Sequence, residues 1–153
     1  MVKRDKFFDI SGRSRKRQIE LARLWKIKYY PTPAGGCLLT DPAFGQRLKE
    51  LFQIYPRCNG DDIELLKYGR HFLFDKTKII VGRSDQENKA IKKLAKQGDI
   101  LIEMKNYPGP LTLIRHYSKK KIPQKIIKKA SNLTQYYSTK ARDKKNVKFN
   151  INP

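Results

Sequence analysis

Arg115 to Lys145 holds eleven Lys and Arg against one acid, Asp143, with Tyr117, Tyr136 and Tyr137 interleaved. Cationic side chains neutralise phosphates and release counterions, and exposed tyrosines stack on unpaired bases. A solvated charge run is the ordinary explanation of such a stretch. Here Lys121, Lys125 and Lys128 share one face of a predicted helix beside a basic loop carrying Lys140, Arg142, Lys144 and Lys145, a placement that favours nucleic-acid binding. Lys129 and Tyr136 join that candidate surface. Tyr137 has core-facing spacing and Tyr136 does not. Arg13, Arg15, Lys16 and Arg17 form a second basic stretch, and Arg70, Arg83 and Arg115 complete the candidate RNA contacts. Arg83 precedes a capped helix, where it can pair bidentately with a phosphate or form an ion pair with Asp85 or Glu87. Asn88 reads as a residue that bonds the neighbouring loop and holds a turn.

The other reactive candidate is Cys37, which follows Gly35 and Gly36 in a Pro-rich loop. Close substrate approach and a nearby cation that lowers the thiol pKa would suit a persulfide-carrying sulfur relay. A small buried hydrophobe or a turn residue is the alternative, and no base stands nearby in sequence to activate the thiol. No catalytic residue is assigned. His71 and His116 have no Ser or Cys partner by spacing and read as structural. Cys37 and Cys58 allow at most one disulfide, and no Cys/His spacing suits zinc. Neither metal nor cofactor is implied. Asp61, Asp62 and Glu64 form the one acidic cluster, which a helix N-terminus explains.

Composition narrows the class of partner. With Lys+Arg 35 against Asp+Glu 14, the 153-residue chain carries a formal net charge of +21. Such an excess repels itself unless a polyanion is present. Nucleic acid is the first candidate and an anionic membrane surface the second. A thermophile-type surface would pair its Lys with abundant Glu, and Glu is scarce here. No apolar run approaches the ~18 residues of a spanning helix, and the basic start has no apolar stretch behind it, so no signal peptide and no membrane association are expected. The expected location is cytoplasmic.

These residues need elements to position them. Ile19, Ala22 and Trp25 recur at helical spacing. Asp41-Pro42 opens a helix whose apolar face is Phe44, Leu48, Leu51, Phe52 and Tyr55. Asp61-Asp62 opens a short helix with Ile63, Leu65 and Leu66. Residues 72–74 and 78–81 read as a hairpin around Asp75-Lys76-Thr77. Ser84 and Glu87 fit a capping box, and Gly98 stops the helix they begin. Residues 100–104 and 111–114 read as strands. Pro123 opens a last helix that buries Ile126, Ala130, Leu133 and Tyr137, with Asn132 and Gln135 among its polar residues. Val147 to Ile151 alternates as a half-buried strand. The expected fold is α+β, a short mixed or antiparallel sheet of about five strands with four or five helices. A mainly helical segment, 1–60, precedes an RNA-binding domain, 61–153, in one compact unit.

Several of these strings resemble a known arrangement. Gly82, Arg83 and Asn88, then Gly98-Asp99 leading into a strand, then Gly109-Pro110, are similar to the RNA-binding domain of the NFACT proteins, a family that includes ribosome quality-control factors that bind tRNA. Ala130 through Tyr137-Ser138, with Lys140 and Arg142 and the strand from Val147, resembles that domain's last helix, basic loop and strand. The resemblance covers about the C-terminal 85 residues. Residues 9–15 and 33–42, with Gly69-Arg70-His71-Phe72, resemble the segment after the catalytic domain in PP-loop ATP-pyrophosphatases related to tRNA thiolation enzymes, where an NFACT-type domain follows directly.

The phosphate loop of those enzymes, a Ser-Gly-Gly-x-Asp-Ser type, does not occur in this sequence. Ser11-Gly12-Arg13-Ser14 lacks the consecutive glycines that let backbone N–H groups crowd around a pyrophosphate. The chain by itself is therefore expected neither to hydrolyse ATP nor to adenylate RNA, and to be either a separate subunit or a C-terminal half. The expected function is an RNA-binding module that presents tRNA to a separate PP-loop ATPase subunit. A ribosome-associated tRNA- or rRNA-binding factor and a sulfur relay through Cys37 are the alternatives.

Overall fold

The computed structural model describes residues 8, 10, 14–29, 38, 41–118 and 121–152. The chain divides into two compact units, Met1–Cys37 and Leu38–Pro153. The first contains α1, Lys16–Leu24, none of whose residues is fully buried. Trp25 falls just past its end, 58% exposed, with its ring 5.6 Å from that of Phe8.

The second unit contains α2 (Pro42–Ile54), α3 (Gly60–Leu65), β1 (Arg70–Phe74), β2 (Thr77–Val81), α4 (Asp85–Lys93), β3 (Ile100–Met104), β4 (Thr112–His116), α5 (Gln124–Tyr136) and β5 (Phe149–Asn152). The strands form one sheet in the order β1-β2-β4-β3-β5. Every pairing is antiparallel, which settles the expected α+β class with an antiparallel sheet. The β1–β2 hairpin turns through Asp75 at φ 51°.

Alternation in β2 shows how the sheet divides the core. Ile80 joins Leu65, Ile91, Leu111 and Leu113 on the face covered by α3 and α4. Ile79 and Val81 join Ile102, Ile114 and Ala130 on the face covered by α5. Each fully buried Leu or Ile contributes about 1.5–3 kcal/mol relative to exposure, so the sheet is fixed from both sides. A third cluster, Phe44, Leu51 and Leu66, ties α2 to the unit.

Local chemistry sets the helix starts. Asp41 caps α2, accepting from the N–H groups of Ala43 and Phe44 at 2.8 and 3.1 Å. The buried face of α2 is narrower than expected: Phe52 and Tyr55 are exposed, because the i, i+4, i+7 stripe of 44, 48 and 51 leaves Phe52 a step round the helix. The cap of α3 is Asn59 rather than the Asp61-Asp62 pair, with Asp62 closing a reciprocal capping box. At α4 only half of the expected box forms. The Ser84 hydroxyl accepts from the Glu87 N–H, but the Glu87 carboxylate turns to the N–H groups of Arg83 and Gly69.

Lys78 lies on the same face of β2 as Ile80 and is fully buried. Its Nζ reaches the Arg47 carbonyl at 3.5 Å. Burial, partly offset by the charge of Glu50 and reinforced by repulsion from Arg47, pushes its pKa down to about 8 from 10.5. Below pH 8 the folded state holds a poorly partnered buried cation, whereas between pH 8 and 10.5 it releases its proton before the unfolded chain does, and Lys78 then favours folding as pH rises. Lys78→Met is expected to stabilise the protein at pH 7 by about 1–3 kcal/mol. The advantage should shrink by pH 9.5. Urea melts of both proteins at the two pH values measure it; a stability gain that grows with pH would count against this reading.

Candidate nucleic-acid interface

The candidate surface is built on α5. Its inner side buries Ala130, Ser131 and Thr134. The Thr134 hydroxyl donates to the Ala130 carbonyl and accepts from the Thr112 hydroxyl, each at 2.7 Å, pinning the helix to β4. Burying that side forces Lys125, Lys128, Lys129 and Tyr136 outward, and all four are exposed. Lys128, Lys129 and Tyr136 follow Lys125 at i+3, i+4 and i+11, so they share one stripe.

The stripe ends in an ordered cluster of cations and rings. Tyr136 is 57% exposed, and its ring meets Tyr137 edge-on, centroids 5.0 Å apart at 87°. The Arg142 guanidinium stands 5.2 Å above Tyr136 and its Nε donates to the Tyr136 carbonyl at 2.8 Å. Arg70, from β1, stands 4.5 Å over Tyr137. Lys129 Nζ sits 4.3 Å over Phe74. Such cation–π contacts are worth about 0.5–1 kcal/mol each at exposed sites and leave the guanidinium N–H edges directed elsewhere. Half-buried Tyr137 packs with Phe72 and Phe149 against the α5 face of the sheet.

The basic loop after α5 is held rather than loose. Gln135 Nε2 donates to the carbonyls of Ala141 and Lys144 at 3.1 and 2.8 Å. Ala141 is buried, and its N–H donates to Ser138 Oγ. Lys140, Arg142, Lys144 and Lys145 are thereby presented, exposed, from a fixed frame. Gln135, read from sequence as part of the polar face, is the tie for this loop.

The remaining sequence-derived candidates fall elsewhere. Lys121 is exposed just before α5. Arg15, Lys16 and Arg17 are exposed in the first unit. Arg13 and Cys37 lie outside the described residues. Arg83 takes the ion-pair alternative, with its guanidinium 2.6 Å from Glu87 Oε1. That hydrogen bond first, opposed by partial burial, holds the Glu87 carboxyl below its usual range.

Arg115 is a correction. It is 4% exposed. Its guanidinium donates to Asp99 Oδ1 at 3.0 Å, to Asp62 Oδ1 at 2.9 Å and to the Leu94 carbonyl at 2.8 Å. Burial works against its charge, but the hydrogen bond and charge of Asp99 outweigh that and raise its pKa. Four of its five N–H donors are taken by these buried partners, so the guanidinium is not presented to a phosphate. Alternation in β4 carried the signal, because Arg115 shares a face with Leu113 and Leu111. Asp62 likewise does more than serve a helix N-terminus, since it is one of the two acids that balance Arg115.

The two histidines are held structurally. His71 Nε2 lies 2.8 Å from the Tyr68 carbonyl, and burial first, then Lys78 and Arg47, push its pKa down to about 3. His116 Nδ1 lies 2.7 Å from Thr77 Oγ1. Among the described residues, no group of three or more His, Cys, Asp or Glu is placed to hold a metal, and no helix is long and apolar enough to cross a membrane.

The short motifs turn out to be joints of the fold. Asn88 Oδ1 accepts from the Leu111 N–H at 3.1 Å, tying α4 to the strand after Gly109-Pro110. Gly82 is required there, because a Cβ would stand 2.0 Å from that same Asn88 oxygen. Gly98 adopts φ +91°, which lets the chain turn so that Asp99 meets Arg115. Ser138 donates to the Pro108 carbonyl at 3.1 Å and so locks the Gly109 turn to the end of α5.

The C-terminal part of the fibronectin/fibrinogen-binding protein from Streptococcus suis, a solved structure, is 19% identical with a TM-score of 0.47 over 68% of this chain and 50% of that one. This chain thus spans half the length of that solved chain. No curated protein matches the sequence. The family model of the NFACT protein RNA binding domain matches residues 69–153, the region holding the sheet, α4, α5 and the basic loop. With more than half of its length matched in this way, the chain belongs to the NFACT RNA-binding domain family, and its role is RNA binding.

Proposed function

We propose that the RNA is tRNA and that it is held through the α5 stripe, the loop from Lys140 to Lys145 and the cluster of Arg70, Tyr136, Tyr137 and Arg142. The observation that carries this reading is that cluster. Its arginines are preordered on tyrosine rings at the end of a lysine stripe, where phosphates meet the cations and an unpaired base can meet the exposed Tyr136 ring. Structured RNA offers phosphates and 2′-hydroxyls over a broad face, so recognition is mainly by shape. The resemblance of residues 9–15 and 33–42 to the connector of PP-loop enzymes supports presentation of the tRNA to a separate PP-loop subunit that modifies it. Competition binding tests the ligand. Folded tRNA should displace a labelled tRNA about tenfold more effectively than an unstructured RNA of equal length, since a flexible strand must also be ordered. Equal competition by the two would rule out recognition by shape.

A further inference from the structure

From Lys140 to Lys145 the loop after α5 packs four cations, Lys140, Arg142, Lys144 and Lys145, around one acid, Asp143. Like charges at this density repel, and such a run ordinarily extends and fluctuates. Here it is folded into successive turns. The Arg142 N–H donates to the Ser138 carbonyl at 3.2 Å, and the Lys144 N–H donates to the Ala141 carbonyl at 3.1 Å.

Two uncharged side chains oppose the repulsion. Ser138 Oγ accepts from the Ala141 N–H at 3.2 Å and donates to the Pro108 carbonyl at 3.1 Å. Both Ser138 and Ala141 are buried, so this tie fixes the start of the loop to the Gly109 turn. Gln135 holds the later part. It is half-buried in the last turn of α5, and its Nε2 carries two N–H groups. These meet two carbonyls three residues apart in the loop, that of Ala141 at 3.1 Å and that of Lys144 at 2.8 Å. Gln135 immediately precedes Tyr136, whose ring is exposed beneath the Arg142 guanidinium. The turn of α5 that presents this ring therefore also sets where the loop cations stand relative to it.

This arrangement has a consequence for ligand choice. Folded RNA carries its phosphates at fixed positions, and a fixed array of cations meets them without first being ordered. A flexible strand adjusts to an ordered or a loose array alike. We propose that Gln135 is a positioning residue for RNA recognition. Its amide donors are occupied within the protein, so it acts by holding Lys140, Arg142, Lys144 and Lys145 in register with the α5 stripe. That register gives the protein its preference for folded RNA over a flexible polyanion. This rests on the proposed tRNA surface and assigns to one uncharged residue the selectivity of that surface.

Gln135→Met keeps the length of the side chain and removes both donors without changing net charge. Fluorescence anisotropy should show affinity for folded tRNA falling by about 5- to 10-fold, the effect of having to order the loop on binding. Affinity for an unstructured RNA of equal length should change by less than about twofold. Hydrogen exchange at the Arg142 and Lys144 amides should accelerate, while the melting temperature holds to within a few degrees. Gln135→Lys restores a donor that can reach both carbonyls, and should keep the preference for tRNA although its added charge tightens both complexes. A preference unchanged in Gln135→Met, equal losses on the two RNAs, or a preference that falls as far in Gln135→Lys as in Gln135→Met overturns the assignment and leaves the basic surface standing. Equal affinity of the unsubstituted protein for the two RNAs removes the tRNA reading and this one with it.

Discussion

Lys125→Glu together with Lys128→Glu is expected to weaken RNA binding by about 10- to 100-fold at ~0.1 M salt and to flatten the log-affinity against log-salt slope by about 1.4–1.8. Both lysines are exposed on α5, so reversal acts through charge and leaves the buried side, Ala130, Ser131 and Thr134, untouched. The loss should be similar for all tRNAs, because phosphate contacts position the protein without reading sequence. Lys92 and Lys93 supply the control. They are exposed in the last turn of α4, which covers the other face of the sheet. Their reversal changes net charge equally and should lower affinity several-fold less. Filter binding or fluorescence anisotropy measures both pairs. Equal losses from the two pairs would mean that overall charge, and not the α5 stripe, drives association.

Arg115→Ala is expected to destabilise the second unit by about 3–5 kcal/mol. The substitution leaves Asp62 and Asp99, 4% and 6% exposed, with a shared buried negative charge. It also strips the Leu94 carbonyl of its donor. Arg115→Lys should recover little, since a single ammonium cannot reproduce the fork that spans two carboxylates and a carbonyl. Asp99→Asn should fall between the two, because it keeps an acceptor for the guanidinium while removing one charge. Chemical denaturation followed by circular dichroism gives the ordering. A loss under about 1 kcal/mol for Arg115→Ala would show that the triad is solvated rather than structural.

The parts of this fold visible in the sequence were those governed by local periodicity. The β1–β2 hairpin, the capped start of α2 and the two-sided pattern of α5 each follow from residues within one or two turns of each other, and all are present. The exposure of Tyr136 and the partial burial of Tyr137 follow the same rule. Asn88 was legible as a turn holder for a different reason. A short polar residue in the first turn of a helix lies within reach of the neighbouring loop, and it does hold the Leu111 N–H.

Long-range pairing was not legible. Arg115 counted as one more cation in a basic run, although strand alternation placed it beside Leu111 and Leu113. Its partners Asp62 and Asp99 come from α3 and from the loop before β3, and neither proximity has a local signature. Arg70 over Tyr137 and Lys129 over Phe74 depend in the same way on α5 crossing next to β1. Lys78 reads as polar in sequence yet is enclosed. The cleft lined by Tyr55, Asp99 and Arg115 gathers three distant stretches of chain, so only the fold reveals it.

Titration of folded tRNA with the protein over a series of salt concentrations tests the central claim most directly. A surface that contacts ~5 phosphates gives a log–log slope of about −3.5 to −4.5. The expected result is tight binding at low salt that weakens along that slope, with Lys125→Glu/Lys128→Glu displaced to a shallower line. Binding that is absent at low salt, or that is indifferent to salt, would contradict RNA recognition through the α5 surface.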